Sequence, residues 1–226
     1  MSRCITSVAK PSTQTHDLPA VDALILSGGQ SRRMGTDKAW LDWQGMPLIR
    51  HTEAWVRVQQ AIQPATVWLS CSPSNIAIAN THFDHTLLDH PEYSGRGPLA
   101  GMHAGLLATQ KAWLWVLPCD GIRFANNLLV RMLQLALSEP QAEAVVVGTR
   151  DGEGPLRLHP VWALISQKTK PRLEACLRTN ALKVTSFFDG VQTRVLLLEP
   201  NEVLWNVNHP TDLPNHGKPI RQDHVD

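Results

Sequence analysis

Residues 23–38 read ALILSGGQSRRMGTDK, and the way this stretch divides decides the fold. Ala23–Leu26 is a short apolar run stopped by turn residues, the pattern of a strand covered on both faces. Ser27-Gly28-Gly29 ends it. Consecutive glycines tolerate positive φ and let backbone amides come close to a ligand. Arg32, Arg33 and Lys38 follow within the next nine residues. A strand end, a glycine turn and clustered cations suit a nucleoside triphosphate, because amide N–H groups cradle phosphate oxygens and the side chains neutralise them. Equally, Gly-Gly after a strand is a plain βα turn, and Arg-Arg is a solvated face. The stretch is not a Walker A loop, since Gly35 is followed by Thr36-Asp37-Lys38.

Outward from here the chain alternates strand and helix. Strands are predicted at Ala23–Leu26, Thr66–Cys71, His85–Asp89, Trp113–Pro118, Ala144–Val147, His159–Ile165 and Val195–Leu198. Helices are predicted at Pro47–Ile62, Ile76–Asn80, Leu99–Lys111, Asn127–Ser138 and Lys170–Asn180. The Trp40–Ile49 stretch reads as irregular, and Asn206–Leu213 closes the fold with a short helix started by Pro210. Such alternation predicts an α/β fold, a single-domain Rossmann-like α/β/α sandwich on a mostly parallel sheet. The domain is expected over 21–214, with a polar, proline-bearing arm at 1–20 and a polar tail at 215–226.

With 43% apolar and 18% charged residues the 226-residue chain has a globular composition. Its formal charge of +1 provides no global field for nucleic acid or an anionic membrane. Cys4, Cys71, Cys119 and Cys176 are scattered without a C-x-x-C pair, which speaks against zinc and a disulfide framework and suits a reducing compartment. No apolar run reaches membrane-span length and no secretory h-region opens the chain, so a cytoplasmic protein is expected.

In open α/β sheets ligands bind at the carboxyl ends of the strands. Here those ends carry Ser27-Gly28-Gly29, Ser70, Asp89 and Asp120. Asp120 follows the run WLWVLP, where a carboxylate costs desolvation energy unless it is paired or metal-bound. Taken alone it is as well read as a turn or helix cap. Beside Lys38 it becomes a magnesium ligand, since Mg²⁺ takes one or two protein carboxylates plus phosphate oxygens. Asp89 either caps the His90-Pro91 turn or accepts two hydrogen bonds from the N1–H and N2–H₂ edge of a guanine. The histidines have no metal-like spacing, and no serine or cysteine nucleophile stands out; Cys71 and Cys119 read as small buried residues at strand ends.

Five segments, in order over about residues 22–213, resemble the molybdenum cofactor guanylyltransferase (MobA) family: LILSGGQSRRMGTDK, DHPEYSGRGPLAGMHAGL, WLWVLPCD, LHPVWALI and NVNHPTDL. The resemblance implies a nucleotidyltransferase-type fold. It also implies a reaction in which GTP and molybdenum-bearing molybdopterin give molybdopterin guanine dinucleotide and pyrophosphate, with Mg²⁺ as cofactor. By the same resemblance Leu26, Ser27, Gly28 and Gly29 bind GTP through the backbone. Lys38 holds its phosphates, Arg32 helps to stabilise the developing charge, Asp120 binds the metal, and Ser70 and Asp89 lie on the guanine side. His159, Lys183, Asn206 and Asn208 fall on the molybdopterin side, and other molybdenum cofactor biosynthesis proteins and recipient molybdoenzymes are the implied partners. The chain departs from the family where Ser70 replaces a frequent Asn, where Leu182-Lys183-Val184 replaces Arg-Arg-Val, and where Gly121-Ile122 replaces Met-Pro. Two rivals remain: a related enzyme using CTP or a sugar-phosphate acceptor, and a non-catalytic cofactor-binding or delivery protein. A pure binder has no need of the Lys38 and Asp120 pair.

Overall fold

The structure, a computed structural model, describes residues 18–27, 38–59, 62–150, 152–200, 202 and 204–207. Its elements in chain order are β1 (Asp22–Leu26), β2 (Asp42–Trp43), β3 (Met46–Pro47), α1 (Leu48–Arg57), β4 (Val67–Ser70), α2 (Ile76–His82), β5 (Thr86–Leu87), α3 (Pro98–Ala108), β6 (Trp113–Pro118), β7 (Gly121–Arg123), α4 (Leu128–Ser138), β8 (Ala144–Thr149), β9 (Arg157–Ser166), α5 (Lys170–Arg178), α6 (Val184–Asp189), β10 (Thr193–Leu197) and β11 (Trp205–Asn206).

A seven-stranded sheet runs in the order β10-β8-β9-β6-β1-β4-β5. All its pairings are parallel except those of β9, which is antiparallel to β6 and β8. The alternation in β1 shows why helices cover both faces. Ala23 and Ile25 point into one core with Ile49 and Val56 of α1 and Leu129 and Leu133 of α4. Leu24 points into the other with Leu99, Met102 and Leu106 of α3 and Leu173 and Leu177 of α5. This is the expected sandwich on a mostly parallel sheet. Chain order reverses at β1: the next strand, β4, adds on one side, and β6 returns to the other. Such a reversal leaves a crevice outside the carboxyl ends of the two central strands, here β1 and β6.

Several element boundaries differ from the expectation, each for a local reason. α1 stops at Arg57, five residues before Ile62, where the Gln59 side-chain amide donates to the Trp55 carbonyl at 3.2 Å and takes up a last-turn acceptor. α3 stops at Ala108 because Thr109 turns extended and its hydroxyl donates to Asp22 Oδ2 at 2.6 Å, tying the helix end to the start of β1. The His85–Asp89 strand shrinks to two residues on the sheet edge, paired on one side with β4. The segment read as irregular contains the β2–β3 hairpin, turned by Gln44 and Gly45 at φ 54° and 84°, the signs a type I′ turn needs. β7 and β11, absent from the sequence reading, form a separate two-stranded antiparallel ribbon. The expected Pro210 helix, most of the 1–20 arm and the 215–226 tail lie outside the described residues.

Gly121 opens β7 directly after Asp120. A Cβ placed there would sit 2.4 and 2.5 Å from ring carbons of Trp162, a fully buried indole with no room to retreat. Gly121→Ala is therefore expected to destabilise the fold by about 1–3 kcal/mol through overpacking. That corresponds to a fall in Tm of roughly 2–12 °C for a domain of this size, read by thermal melting. An unchanged Tm would show that the ribbon shifts freely.

Candidate active site

The crevice between β1 and β6 holds a partly buried ion pair. Asp120 is the second residue past β6, after Cys119, and 7% exposed. Its carboxylate forms an ion pair with the Nζ of Lys38, which begins a short 3₁₀ turn spanning Lys38–Trp40. Taking a carboxylate out of water without a partner is costly, so the lysine offsets what burial imposes. The backbone around Asp120 is held on three sides. The Cys119 N–H donates to the Leu26 carbonyl at 3.1 Å, and the Cys119 carbonyl accepts from the Thr52 hydroxyl of α1 at 2.9 Å. The Asp120 carbonyl accepts from Val207 N–H at 3.0 Å. Val207 itself sits in a small core with Trp43, Leu48 and Ile122, which fastens the β7–β11 ribbon beside the crevice.

That ribbon brings Asn206 opposite Gly121 in register, next to Asp120. The Asn206 Oδ1 is buried with no hydrogen-bond partner among the described residues, as is the Ser27 hydroxyl at the end of β1. Two orphaned polar atoms at this end of the sheet, one on each side of the β1–β6 crevice, suit a polar ligand. The Ser27 N–H is already committed to the Ser70 carbonyl at 2.9 Å, and the Leu26 carbonyl to Cys119. The hydroxyl is thus the group that Ser27 leaves open. Ser70 is buried at the end of β4, and α3 lies against it because its Gly101 has no side chain: a Cβ there would sit 2.6 Å from the Ser70 Oγ.

Asp89 follows β5 and is half-buried. It does not cap the His90-Pro91 turn; there His90 itself accepts from Glu92 N–H through Nδ1 at 3.4 Å. Asp89 Oδ2 instead accepts from Gly95 N–H at 3.0 Å, stapling a loop in which Gly95 and Gly97 adopt φ of 74° and 71°. Burial holds the Asp89 carboxyl above its ordinary value, with the Gly95 bond pulling the other way. Nearby Cys71 is pushed up to about 11 by burial and by the Asp89 charge, so it stays a thiol and supplies no nucleophile at neutral pH.

On the other side of Asp120, β9 runs antiparallel, so its first residues reach the same carboxyl edge. His159 pairs in register with Val147 of β8 and shares a 2.9 Å hydrogen bond with the Thr149 hydroxyl. Burial first, and the Arg157 charge second, hold its imidazole below the ordinary histidine value, so it is neutral at pH 7. His159 lines an open pocket of about 240 Å³ between the β8–β9 edge and Leu198, Glu199, Pro200, Glu202 and Leu204. Lys183 does not join it: it is exposed, at the N-terminal cap of α6. Gly28, Gly29, Arg32 and Asn208 lie outside the described residues.

Along the edge the order is thus Asp89, Ser70, Ser27, then Lys38 with Asp120, then His159. At about 4.8 Å per strand, Asp89 and Asp120 stand roughly 14 Å apart across β5, β4, β1 and β6. Among the described residues no group of three or more His, Cys, Asp or Glu side chains is placed to hold a metal. One carboxylate beside an orphaned amide oxygen fits a magnesium ion that takes its remaining ligands from phosphate and water, rather than an all-protein cage. Sequence reasoning did not single out Thr52 or Val207, which set the Asp120 backbone, or Arg150, which lines the pocket. Thr52 lies 68 residues from Asp120 in the chain and nothing local signals the contact.

Residues 23–193 match the MobA-like NTP transferase domain. The molybdenum cofactor guanylyltransferase of Vibrio cholerae is 29% identical over 216 residues, covering 94% of this chain and 98% of that protein. The protein of the same name from Pseudomonas putida is 34% identical over 158 residues, covering 70% and 76%. Among solved structures, the molybdopterin-guanine dinucleotide biosynthesis protein A of Archaeoglobus fulgidus superposes with a TM-score of 0.68 at 18% identity, covering 85% of this chain and 94% of that one.

Proposed function

We propose a reaction that proceeds from one premise: the chain belongs to the MobA-like NTP transferase family and is a nucleotidyltransferase of molybdenum cofactor biosynthesis. The reaction is transfer of the guanylyl group of GTP to molybdenum-bearing molybdopterin. A terminal phosphate oxygen of molybdopterin attacks the α-phosphorus of GTP in line, the α–β phosphoanhydride bond breaks, and pyrophosphate leaves. The observation that carries this reading is the Lys38–Asp120 pair at the β1–β6 switch point. A cation and a carboxylate there are what a triphosphate and its divalent ion require.

The residues divide the work along the edge. Lys38 releases Asp120 to engage phosphate oxygens, and the Ser27 hydroxyl is a further donor beside them. Asp120, with Asn206 Oδ1 beside it, would hold Mg²⁺, which when bound supplies positive charge to the phosphate oxygens. Little covalent chemistry is asked of the protein, so its contribution is positioning and preorganised charge. Asp89 and the Gly95–Gly97 loop lie toward the base, and His159 toward the acceptor. Release of pyrophosphate on mixing the protein with GTP, Mg²⁺ and molybdopterin tests the reaction; no release with the folded protein refutes it.

Base choice follows from Asp89. One of its oxygens is held by Gly95, and the remaining acceptor capacity suits the paired donors of guanine, which adenine and cytosine lack. Asp89→Ala is expected to erode the preference for GTP over ATP by about tenfold or more, since an unpaired buried polar group is what rejects the wrong base. Competition binding with GTP, ATP and CTP measures it. A common loss for all three would make Asp89 a loop staple that does not read the base.

A further inference from the structure

We propose that Arg150 reads the bicyclic head of the acceptor, making it a specificity-determining residue of the β8–β9 pocket. The inference rests on the transfer reaction proposed above. That reaction fixes the phosphate end of the acceptor at Lys38 and Asp120, so its pterin head must extend along the sheet edge to one side. The β4–β5 side carries Ser70, Asp89 and the Gly95 loop. The β9–β8 side carries the pocket, and β8 stands two strands from β6, about 10 Å away at the usual spacing.

The pocket has the makings of a site for a flat polar ring. Leu198, Pro200 and Leu204 supply an apolar wall, and Thr149, Arg150 and His159 the polar side. The Thr149 hydroxyl and the His159 Nε2 are engaged with each other. Arg150 is not spent: its Nε is buried and has no partner among the described residues. Leaving a buried donor unpaired is costly, and a guanidinium presents its donors in a planar fork that matches adjacent carbonyl and ring-nitrogen acceptors. Such acceptors line one edge of a pterin. Among the described residues no acid quenches the fork. Glu202 is committed to Arg131 of α4 and to the Glu199 N–H. Glu199 keeps its own carboxylate for the amino-bearing edge of the same ring.

The test titrates the full-length protein with 6-carboxypterin, a fluorescent pterin, and separately with GTP. The wild type should bind the pterin. Arg150→Ala should weaken it at least about tenfold, the cost of losing a charged hydrogen-bond donor. Arg150→Lys, which keeps the charge and loses the fork, should fall between the two and carries the test if the alanine variant does not fold. GTP affinity should stay within about twofold in both variants. Pterin binding unchanged in Arg150→Ala, a parallel loss of GTP affinity, or no pterin binding by the wild type would each overturn the assignment. Pyrophosphate release by the wild type separates the two levels. If release persists without pterin binding in this pocket, the reaction stands and Arg150 falls. If Arg150-dependent pterin binding persists without release, Arg150 stands and the reaction falls.

Discussion

Lys38→Ala is expected to reduce turnover roughly 30- to 1000-fold. The figure comes from about 2–4 kcal/mol for one preorganised charged contact to the developing transition-state charge, at 1.36 kcal/mol per decade. The position supports it. Lys38 begins the short 3₁₀ turn ahead of β2, and its ammonium meets the Asp120 carboxylate across the crevice at the carboxyl ends of β1 and β6. Without ligand the two charges satisfy each other; with a triphosphate present, the lysine can exchange one anion for another at little electrostatic cost. The variant also leaves a carboxylate with a side chain only 9% exposed without its partner, so some stability is lost with the activity. Lys38→Arg separates the effects. It preserves the charge that stabilises Asp120 while changing the shape of the contact, so Tm should recover more than turnover does. Pyrophosphate release and thermal melts on both variants give the answer. A Lys38→Ala protein that is folded and within about threefold of wild type removes Lys38 from the chemistry.

The fold was legible in the sequence where local pattern and tertiary role coincide. Ala23–Leu26 and Trp113–Pro118 are buried on both faces, so their continuous apolar runs mark the two central strands with little ambiguity. Asp120 was legible for the same reason, as a carboxylate two residues past an apolar strand. What the sequence hid depends on contacts made far along the chain. The ends of α1 and α3 are set by the Gln59 and Thr109 side chains, and Thr109 reaches Asp22, 87 positions away. β7 and β11 are three and two residues long, and pair across more than 80 positions, so neither has a periodicity to detect. Arg150 was hidden in another way: it stands just after β8, where an arginine is ordinarily a solvated residue, and the pocket it shares with Leu198, Pro200 and Leu204 is built by a segment about fifty positions further along the chain. Asp89 was half legible. Its place after a strand was clear, but its bond to Gly95 depends on the positive φ of a loop that doubles back.

Asp120→Asn is expected to lower turnover by two orders of magnitude or more and to raise the Mg²⁺ concentration needed for half-maximal rate. Lewis-acid stabilisation of phosphoryl charge is worth several kcal/mol, and an amide oxygen is a far weaker ligand for a hard cation than a carboxylate. The substitution is nearly isosteric, so the backbone bonds that frame the site, from Cys119 to Leu26 and from Val207 to the Asp120 carbonyl, have no reason to change. Removing the carboxylate does leave Lys38 without its counter-charge, but that side chain is 24% exposed and can turn toward water, so the stability cost should be the smaller effect. The alternative, that Asp120 only closes the turn between β6 and β7, makes the opposite prediction, because asparagine caps and turns as well as aspartate does. A Mg²⁺ titration of pyrophosphate release distinguishes them: a metal-bearing Asp120 gives a right-shifted curve with a lowered plateau, partly restored by excess metal. A turn residue leaves both the midpoint and the plateau where the wild type has them. Measuring GTP binding without metal completes the separation, since the Asn variant should then bind the nucleotide at least as well as the wild type, having lost a negative charge that repels the phosphates.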